Sequence, residues 1–232
     1  MAYQMTFERY ELKYLLTQQE KEFLLETMRT HMKLDAYGRT TIRNIYFDTD
    51  TFRVIRHSLE KPVYKEKLRI RSYHPVYATD PVFVELKKKY KSVVYKRRLQ
   101  LPEQDVMESF QTGNPLPVHS QIGKEIQYFR DYYETLHPTV FLSYEREAYY
   151  ALDGSDFRVT FDENILYRRK DFSLGSDIYG SSILGENKVL MEIKTSGGIP
   201  LWMSEILTRN HLYKTSFSKY GSAYQHMQTG IM

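Results

Sequence analysis

Pairs of charged residues two positions apart recur along stretches that read as β-strands. They are Glu11/Lys13, Arg69/Arg71, Glu85/Lys87, Lys96/Arg98 and Glu192/Lys194, with Arg158/Asp162 spaced by four and Tyr144/Arg146 as a variant. Strand side chains alternate between faces, so residues i and i+2 point the same way. The opposite face is apolar in several of these stretches. Leu12 and Tyr14 flank Lys13, Leu68 and Ile70 flank Arg69, and Val84 and Leu86 flank Glu85. Phe157, Val159 and Phe161 interleave with Arg158, and Val189, Met191 and Ile193 with Glu192. One such strand is an ordinary half-buried strand with its charges in water. Repeated over so many strands, and mostly basic, the pattern predicts charged faces that converge on a shared anion.

Eight strands can close into a barrel whose interior is filled by side chains or holds one elongated ligand. With the charged faces inward, the interior holds Lys13, Arg69, Arg71, Lys87, Lys96, Arg146, Arg158 and Lys194. Like charges in a confined space repel and are costly to desolvate unless a polyanion or interleaved carboxylates compensate. Glu11, Glu85, Asp162 and Glu192 compensate only in part. Arginine suits bidentate phosphate contacts and lysine is a compact mobile charge, so a chain of phosphates is the expected occupant. The carboxylates have two readings. Phosphate chemistry usually recruits Mg²⁺ or Mn²⁺, which prefer oxygen ligands and need only one or two carboxylates. Glu192 is the first candidate ligand and Glu11 the second; alternatively both form salt bridges with neighbouring lysines.

The elements that must position these residues are legible from turn and cap signals. A first strand over residues 7–16 runs into Thr17-Gln18-Gln19-Glu20, a capping-box pattern that predicts a helix to about Met32. Residues 39–48 read as strand two, and Asp48-Thr49-Asp50 offers a turn or cap before residues 52–59. Strands follow at 65–73, 82–90 and 93–100, the last two joined near Lys91-Ser92. A helical, loop-rich interval covers 102–136. Strands resume at 139–150 and 156–163 around Asp153-Gly154, and residues 171–187 read as a mobile excursion. A last strand at 188–195 turns through Gly197-Gly198 into a short helix with Pro200 in its first turn, and a helix over 217–228 closes the chain. The expected fold is α+β: an eight-stranded antiparallel β-barrel with helices packed outside, as a single domain over residues 1–232.

Composition excludes several classes. The 232 residues carry 33 basic and 29 acidic side chains, a net charge of +4, so an anion site is local rather than global, and a nonspecific nucleic-acid partner is not expected. No cysteine is present, which removes disulfides and thiolate metal sites. No window approaches a membrane span or a signal core, and a soluble cytoplasmic protein is expected. The seven histidines do not pair at metal-site spacing, and no Walker-type phosphate loop occurs. The run Lys87 to Lys91 reads as a solvated lysine face with one inward member, rather than as a nucleic-acid contact.

The chain resembles the VTC-type polyphosphate polymerase domain, within the triphosphate tunnel metalloenzyme (CYTH-like) superfamily. The resemblance rests on Arg9-Tyr10-Glu11-Leu12-Lys13-Tyr14, Tyr46-Phe47-Asp48, Leu68-Arg69-Ile70-Arg71 and Val84-Glu85-Leu86-Lys87. It continues through Ser143-Tyr144-Glu145-Arg146, Arg158 to Asp162, Met191-Glu192-Ile193-Lys194 and Ser218-Lys219-Tyr220. It implies a basic tunnel that binds ATP and polyphosphate with a divalent metal. By matching motif, Lys13, Arg69, Arg71, Lys87, Lys96, Tyr144, Arg146 and Lys219 would contact phosphates and Glu192 would hold the metal. Arg98, Arg158 and Lys194 extend the phosphate-binding set, and Lys96-Arg97-Arg98 leaves three registers open. The wider superfamily begins with Glu-x-Glu-x-Lys, whereas Arg9 stands here at the first position. That departure favours ATP-dependent chain extension over hydrolysis; a tri- or polyphosphatase and a non-catalytic polyphosphate-binding module are the alternatives. Relatives with membrane-spanning segments suggest that a membrane protein could be a partner in trans.

Overall fold

A computed structural model describes residues 10–91 and 93–230. Its strands are β1 (Tyr10–Thr17), β2 (Met32–Leu34), β3 (Thr40–Asp48), β4 (Tyr64–Ser72), β5 (Pro81–Tyr90), β6 (Val93–Pro102), β7 (His137–Ala151), β8 (Arg158–Arg168), β9 (Ser181–Ser182) and β10 (Lys188–Thr195). The helices are α1 (Gln18–Met28), α2 (Arg53–Leu59), α3 (Glu103–Thr112), α4 (Gln121–Tyr133), α5 (Leu201–Arg209) and α6 (Lys219–Thr229). No described helix is long and apolar enough to cross a membrane.

The strands form one antiparallel sheet in the order β1-β10-β8-β7-β3-β4-β5-β6, with β2 added beside β7 and β9 beside β8. This corrects the expectation of a closed eight-stranded barrel: the sheet has ten strands among the described residues, and β1 and β6 end it as edges. The free side of β1 is taken by Thr215, whose N–H donates to the Lys13 carbonyl at 2.7 Å. A backbone group that a closing ladder would need is thereby already paired. An ion pair between Glu11 of β1 and Lys87 of β5, at 2.8 Å, ties the two ends of the sheet instead.

Alternation places the apolar faces under the helices. Ile45, Phe47, Leu68, Ile70, Val84 and Leu86 pack with Val106 of α3 and Ile126 and Phe129 of α4. Tyr14, Leu16, Val159, Phe161, Met191 and Ile193 pack with α1 and α5. The inner face is charged over β4, β5, β6, β1, β10 and β8 and at Arg146 of β7, but over β3 and the first half of β7 it carries Tyr46, Val140, Leu142 and Tyr144, which pack with Tyr220 and Ala223 of α6. Part of the interior is therefore closed by α6.

Local signals acted as the chemistry requires at Thr17. Its hydroxyl accepts from the Glu20 N–H at 3.2 Å while the Glu20 carboxylate accepts from the Thr17 N–H at 2.6 Å, a complete capping box. The helix stops at Met28 rather than Met32, because residues 32–34 pair with β7 and Met32 is buried there. The predicted mobile excursion at 171–187 is instead organised around buried Arg168, whose guanidinium donates to the carbonyls of Lys170, Asp171 and Ser173. Residues 7–9 of the predicted first strand lie outside the described residues.

Candidate functional site

The inward face of β4 carries Lys65, Lys67, Arg69 and Arg71 in one row. Antiparallel register sets Lys87 opposite Lys67, Glu85 opposite Arg69, and Lys96 and Arg98 of β6 opposite Lys87 and Glu85. Glu85, fully buried, is the hub of this half. It accepts from Arg69 at 2.7 Å and Arg98 at 2.5 Å, and pairs with Lys96 at 2.6 Å. Arg69 also donates to the Tyr46 hydroxyl at 2.9 Å, and Arg71 to Asn44 and to the Tyr144 hydroxyl, each at 2.8 Å. Two of the three registers left open for residues 96–98 thus point inward, while Arg97 turns outward to Glu125 at 3.2 Å.

The second hub is Glu192 on β10, ringed by Lys194 at 2.9 Å, Lys219 at 3.0 Å, Arg146 at 3.4 Å and Lys13 at 3.7 Å. Buried Asp162 on β8 grips Arg146 through two bonds of 2.5 and 2.6 Å and pairs with Lys219 at 2.5 Å. Lys219 reaches this cluster from the first turn of α6, which Ser218 caps by accepting from the Gly221 N–H at 3.1 Å. Arg158 stacks over Tyr150 at 4.6 Å. Its Nε and the neighbouring Thr160 hydroxyl are buried without a hydrogen-bond partner among the described residues. The structure thus brings the predicted phosphate-contacting and metal-ligand candidates onto one interior surface, most of them in two carboxylate-centred clusters linked by Glu11 and Lys87, with Arg158 outside both. Both candidate metal carboxylates, Glu192 and Glu11, are occupied by lysine ammonium groups, and no group of three His, Asp or Glu side chains is placed to hold a metal ion among the described residues.

Charge balance shapes the acid–base behaviour of the interior. Burial opposes ionisation of Glu85 and Glu192, but the surrounding lysines and arginines win and hold both well below the usual carboxylate range. Glu11 is likewise pulled down against burial, to about 2, chiefly by Lys87 and Lys194. The lysines also shift down, which for them disfavours the charged form. Burial drives Lys67 well below its ordinary value, reinforced by Lys13 and Lys87. Burial also outweighs the pull of Glu192 on Lys194 and brings it to about 8. Lys219 escapes this, because Asp162 and Glu192 overcome burial and raise it.

Sequence reasoning missed Lys67, Tyr46 and Asn44 as members of this surface. Lys67 donates to the Ser218 hydroxyl at 2.9 Å and was findable, since it continues the Arg69/Arg71 spacing by one more step. Tyr46 and Asn44 carry no charge, so nothing in the doublet pattern marks them. Gly197 and Gly198 face open space and serve a turn. A separate groove of about 520 Å³ lies on the outer surface between α2, α4 and β4, lined by Arg53, Tyr64, Tyr128 and Tyr132 among others.

The curled antiparallel sheet with a cation-lined inner face defines the triphosphate-tunnel, CYTH-like fold. Two solved structures share it over nearly their whole length. One is an adenylate cyclase-type protein from Bacillus halodurans, 16% identical, with a TM-score of 0.59 over 92% of this chain and 95% of that one. The other is an adenylyl cyclase-type protein from Hippeastrum described as having a dominant triphosphatase activity, 16% identical, with a TM-score of 0.57 over 97% of each chain. No curated protein sequence matches. The VTC domain pattern matches residues 8–228, and the chain belongs to the VTC domain family.

Proposed function

We propose that the chain is a polyphosphate polymerase that transfers the γ-phosphoryl group of ATP to the end of a growing polyphosphate and releases ADP. The observation that carries this reading is the excess of buried and half-buried cations over the four carboxylates of the interior surface, in a chain of the VTC family. Burial, reinforced by neighbouring cations, holds Lys13, Lys67 and Lys96 below their ordinary values, and a polyanion beside them would favour their charged forms. The orphaned Arg158 Nε and Thr160 hydroxyl offer further unfilled contacts.

Phosphoryl transfer is governed by positioning and by neutralising charge on the equatorial oxygens. Arg69, Arg71 and Arg146 are held by Glu85, Asn44, Tyr144 and Asp162, so their forks stay aimed inward without further ordering. Lys13, Lys67, Lys87, Lys96 and Lys194 supply mobile point charges along the chain of phosphates. The acceptor, a terminal phosphate, is already an oxyanion and needs no general base. Glu192, and next to it Glu11, would be the oxygen donors for a divalent Mg²⁺ or Mn²⁺. They suffice only together with phosphate oxygens, which would draw the lysines off them. When bound, such an ion would add charge neutralisation on the transferred group.

Incubation of the purified protein with ATP and Mn²⁺ or Mg²⁺ tests the reading. ADP release matched by a ladder that exopolyphosphatase digests is the expected result; ADP with stoichiometric free phosphate would make the chain a hydrolase. Arg69→Ala, which removes an inward fork, is expected to lower kcat about 10²–10³-fold. Wild-type turnover in Arg69→Ala or Glu192→Ala would refute the mechanism.

A further inference from the structure

The inward row of β4 does not stop at Arg71. Tyr73, one residue past the strand, continues its spacing, and Phe83 of β5 shares a face with Glu85 and Lys87. The two rings meet edge to face, with centroids 5.6 Å apart at 75°. Arg98 ties them together: its guanidinium stands over Phe83, 4.3 Å from the ring centroid, and donates to the Tyr73 hydroxyl at 2.8 Å. Antiparallel order brings the end of β7 and the start of β8 to the same end of the sheet. There Tyr150 pairs with Arg158 in register and carries its guanidinium at 4.6 Å. Burial lowers the pKa of Arg158 and the phenols of Tyr150 and Tyr73 oppose it, so both rings stand within electrostatic reach of one guanidinium. Tyr73 is 37% exposed, Tyr150 39%, and Phe83 is half-buried.

This rim differs in kind from the other end of the inner face. There Lys65 stands opposite Lys89, Lys67 donates to Ser218, and α6 covers the wall. At the rim the cations are arginines and each is set against a ring, Arg71 lying 6.0 Å from the Tyr73 centroid. A ring gains nothing from an inorganic phosphate chain, which offers only oxygen to its site. Of the compounds that the polymerase reading requires, ATP and ADP alone carry a base, and a base stacks on aromatic side chains and on guanidinium planes. The spacing agrees. Tyr73 lies four residues beyond Arg69, about 13 Å along an extended strand, a distance that two phosphates and a ribose span when the γ-phosphate is at Arg69.

We propose that Tyr73 and Phe83, with Arg98 and with Tyr150 and Arg158 on the same rim, form the base subsite for a purine nucleotide at the arginine end of the tunnel. The inference rests on the reading that the tunnel accepts a nucleotide. The base stays at the rim while the phosphates reach inward to Arg71 and Arg69. Stacking reads a base by its face, so the subsite separates a nucleotide from inorganic triphosphate rather than adenine from guanine.

Calorimetric titration in metal-free buffer, at fixed pH and ionic strength, tests this with the β,γ-imido analogue of ATP and with inorganic tripolyphosphate. Tyr73→Leu is expected to lower nucleotide affinity about tenfold and to keep tripolyphosphate affinity within about twofold of wild type. Tyr73→Phe keeps the ring and loses only the bond to Arg98, which Glu85 still holds, so it is expected to restore nucleotide affinity. Equal losses for both ligands in Tyr73→Leu would make Tyr73 a prop for Arg98 and overturn the proposal. An unchanged nucleotide affinity in that variant, or a wild type that binds tripolyphosphate without nucleotide, would overturn it as well. Neither titration involves turnover, so a chain that hydrolyses ATP still passes, and the product assay alone decides between polymerase and hydrolase. Should Tyr73→Leu not fold, photolabelling of wild type with an azidoadenine nucleotide decides: label on Tyr73, Phe83 or Tyr150 supports the subsite, and label elsewhere or none overturns it.

Discussion

Lys194 gives the tunnel reading a pH signature of known sign. Burial brings its ammonium to about 8 in the ligand-free interior, against an ordinary value of 10.5. A polyanion placed against it favours the charged form and returns the pKa towards that ordinary value, so binding above pH 8 must take up a proton. At pH 7 about nine-tenths of Lys194 is already charged, and at pH 9 about one-tenth is. Affinity for polyphosphate is therefore expected to fall about tenfold from pH 7 to pH 9, or about 1.4 kcal/mol. Lys13, Lys67 and Lys96 are lowered too, which adds to the fall rather than offsetting it.

Calorimetric titration with long-chain polyphosphate, whose internal groups keep their charge across this range, measures the effect. Ionic strength must be fixed, because screening alters the same contacts. Lys194→Arg keeps the charge and is expected to remove about one proton of uptake, flattening the profile. Stability of the ligand-free protein should move oppositely. The unfolded chain binds more protons than the folded one between about 8 and 10.5, so the penalty from Lys194 is fully present below pH 8 and is relieved as pH rises. A polyphosphate affinity that is flat or rising from pH 7 to 9, or an unchanged slope in Lys194→Arg, would sink the reasoning.

Lys67→Met should weaken polyphosphate binding about tenfold at moderate salt while leaving the fold intact, since its ammonium forms no ion pair among the described residues and loses a hydrogen bond to the Ser218 hydroxyl and a 6.0 Å approach to the Tyr220 ring; titration of the variant checks this. Asp48→Ala should cost about 2–4 kcal/mol in urea unfolding. The Asp48 carboxylate accepts from the N–H groups of Thr49, Val54 and Ile55 and from the Tyr220 hydroxyl, so its loss unties α2 and α6 together.

The legible part of this molecule is whatever strand alternation encodes. Arg69, Arg71, Glu85, Lys87, Glu192 and Lys194 reveal both their face and their company, because a charge every second residue is costly unless the whole face shares a purpose. The same logic stopped one step short of Lys67. Closure was not legible, because it depends on what meets the edge of β1, and Thr215 gives no signal of that role in sequence. Nor was the order at 171–187. A Gly, Ser and Asp-rich segment reads as mobile until a buried arginine is seen collecting its carbonyls, and Arg168 lies just before it with nothing to mark it. Asn44 and Tyr46 escaped for a different reason, as neutral residues whose task is to hold arginines.

The interior carboxylates explain how so cation-rich an inner face holds together. Each joins cations from different strands: Glu85 links β4 to β6, Asp162 joins β7 to α6, Glu192 joins β1, β7 and α6, and Glu11 reaches β5. Removing them all would leave the walls repelling one another, while adding enough to neutralise every cation would leave nothing for phosphate to bind. The intermediate count keeps the arginines ionised and preset, and lets the deficit fall on the lysines, whose pKa values yield. The division of labour follows from the two side chains themselves. A guanidinium cannot shed its proton when buried, so it needs a resident partner; an ammonium can, so it can wait for the ligand.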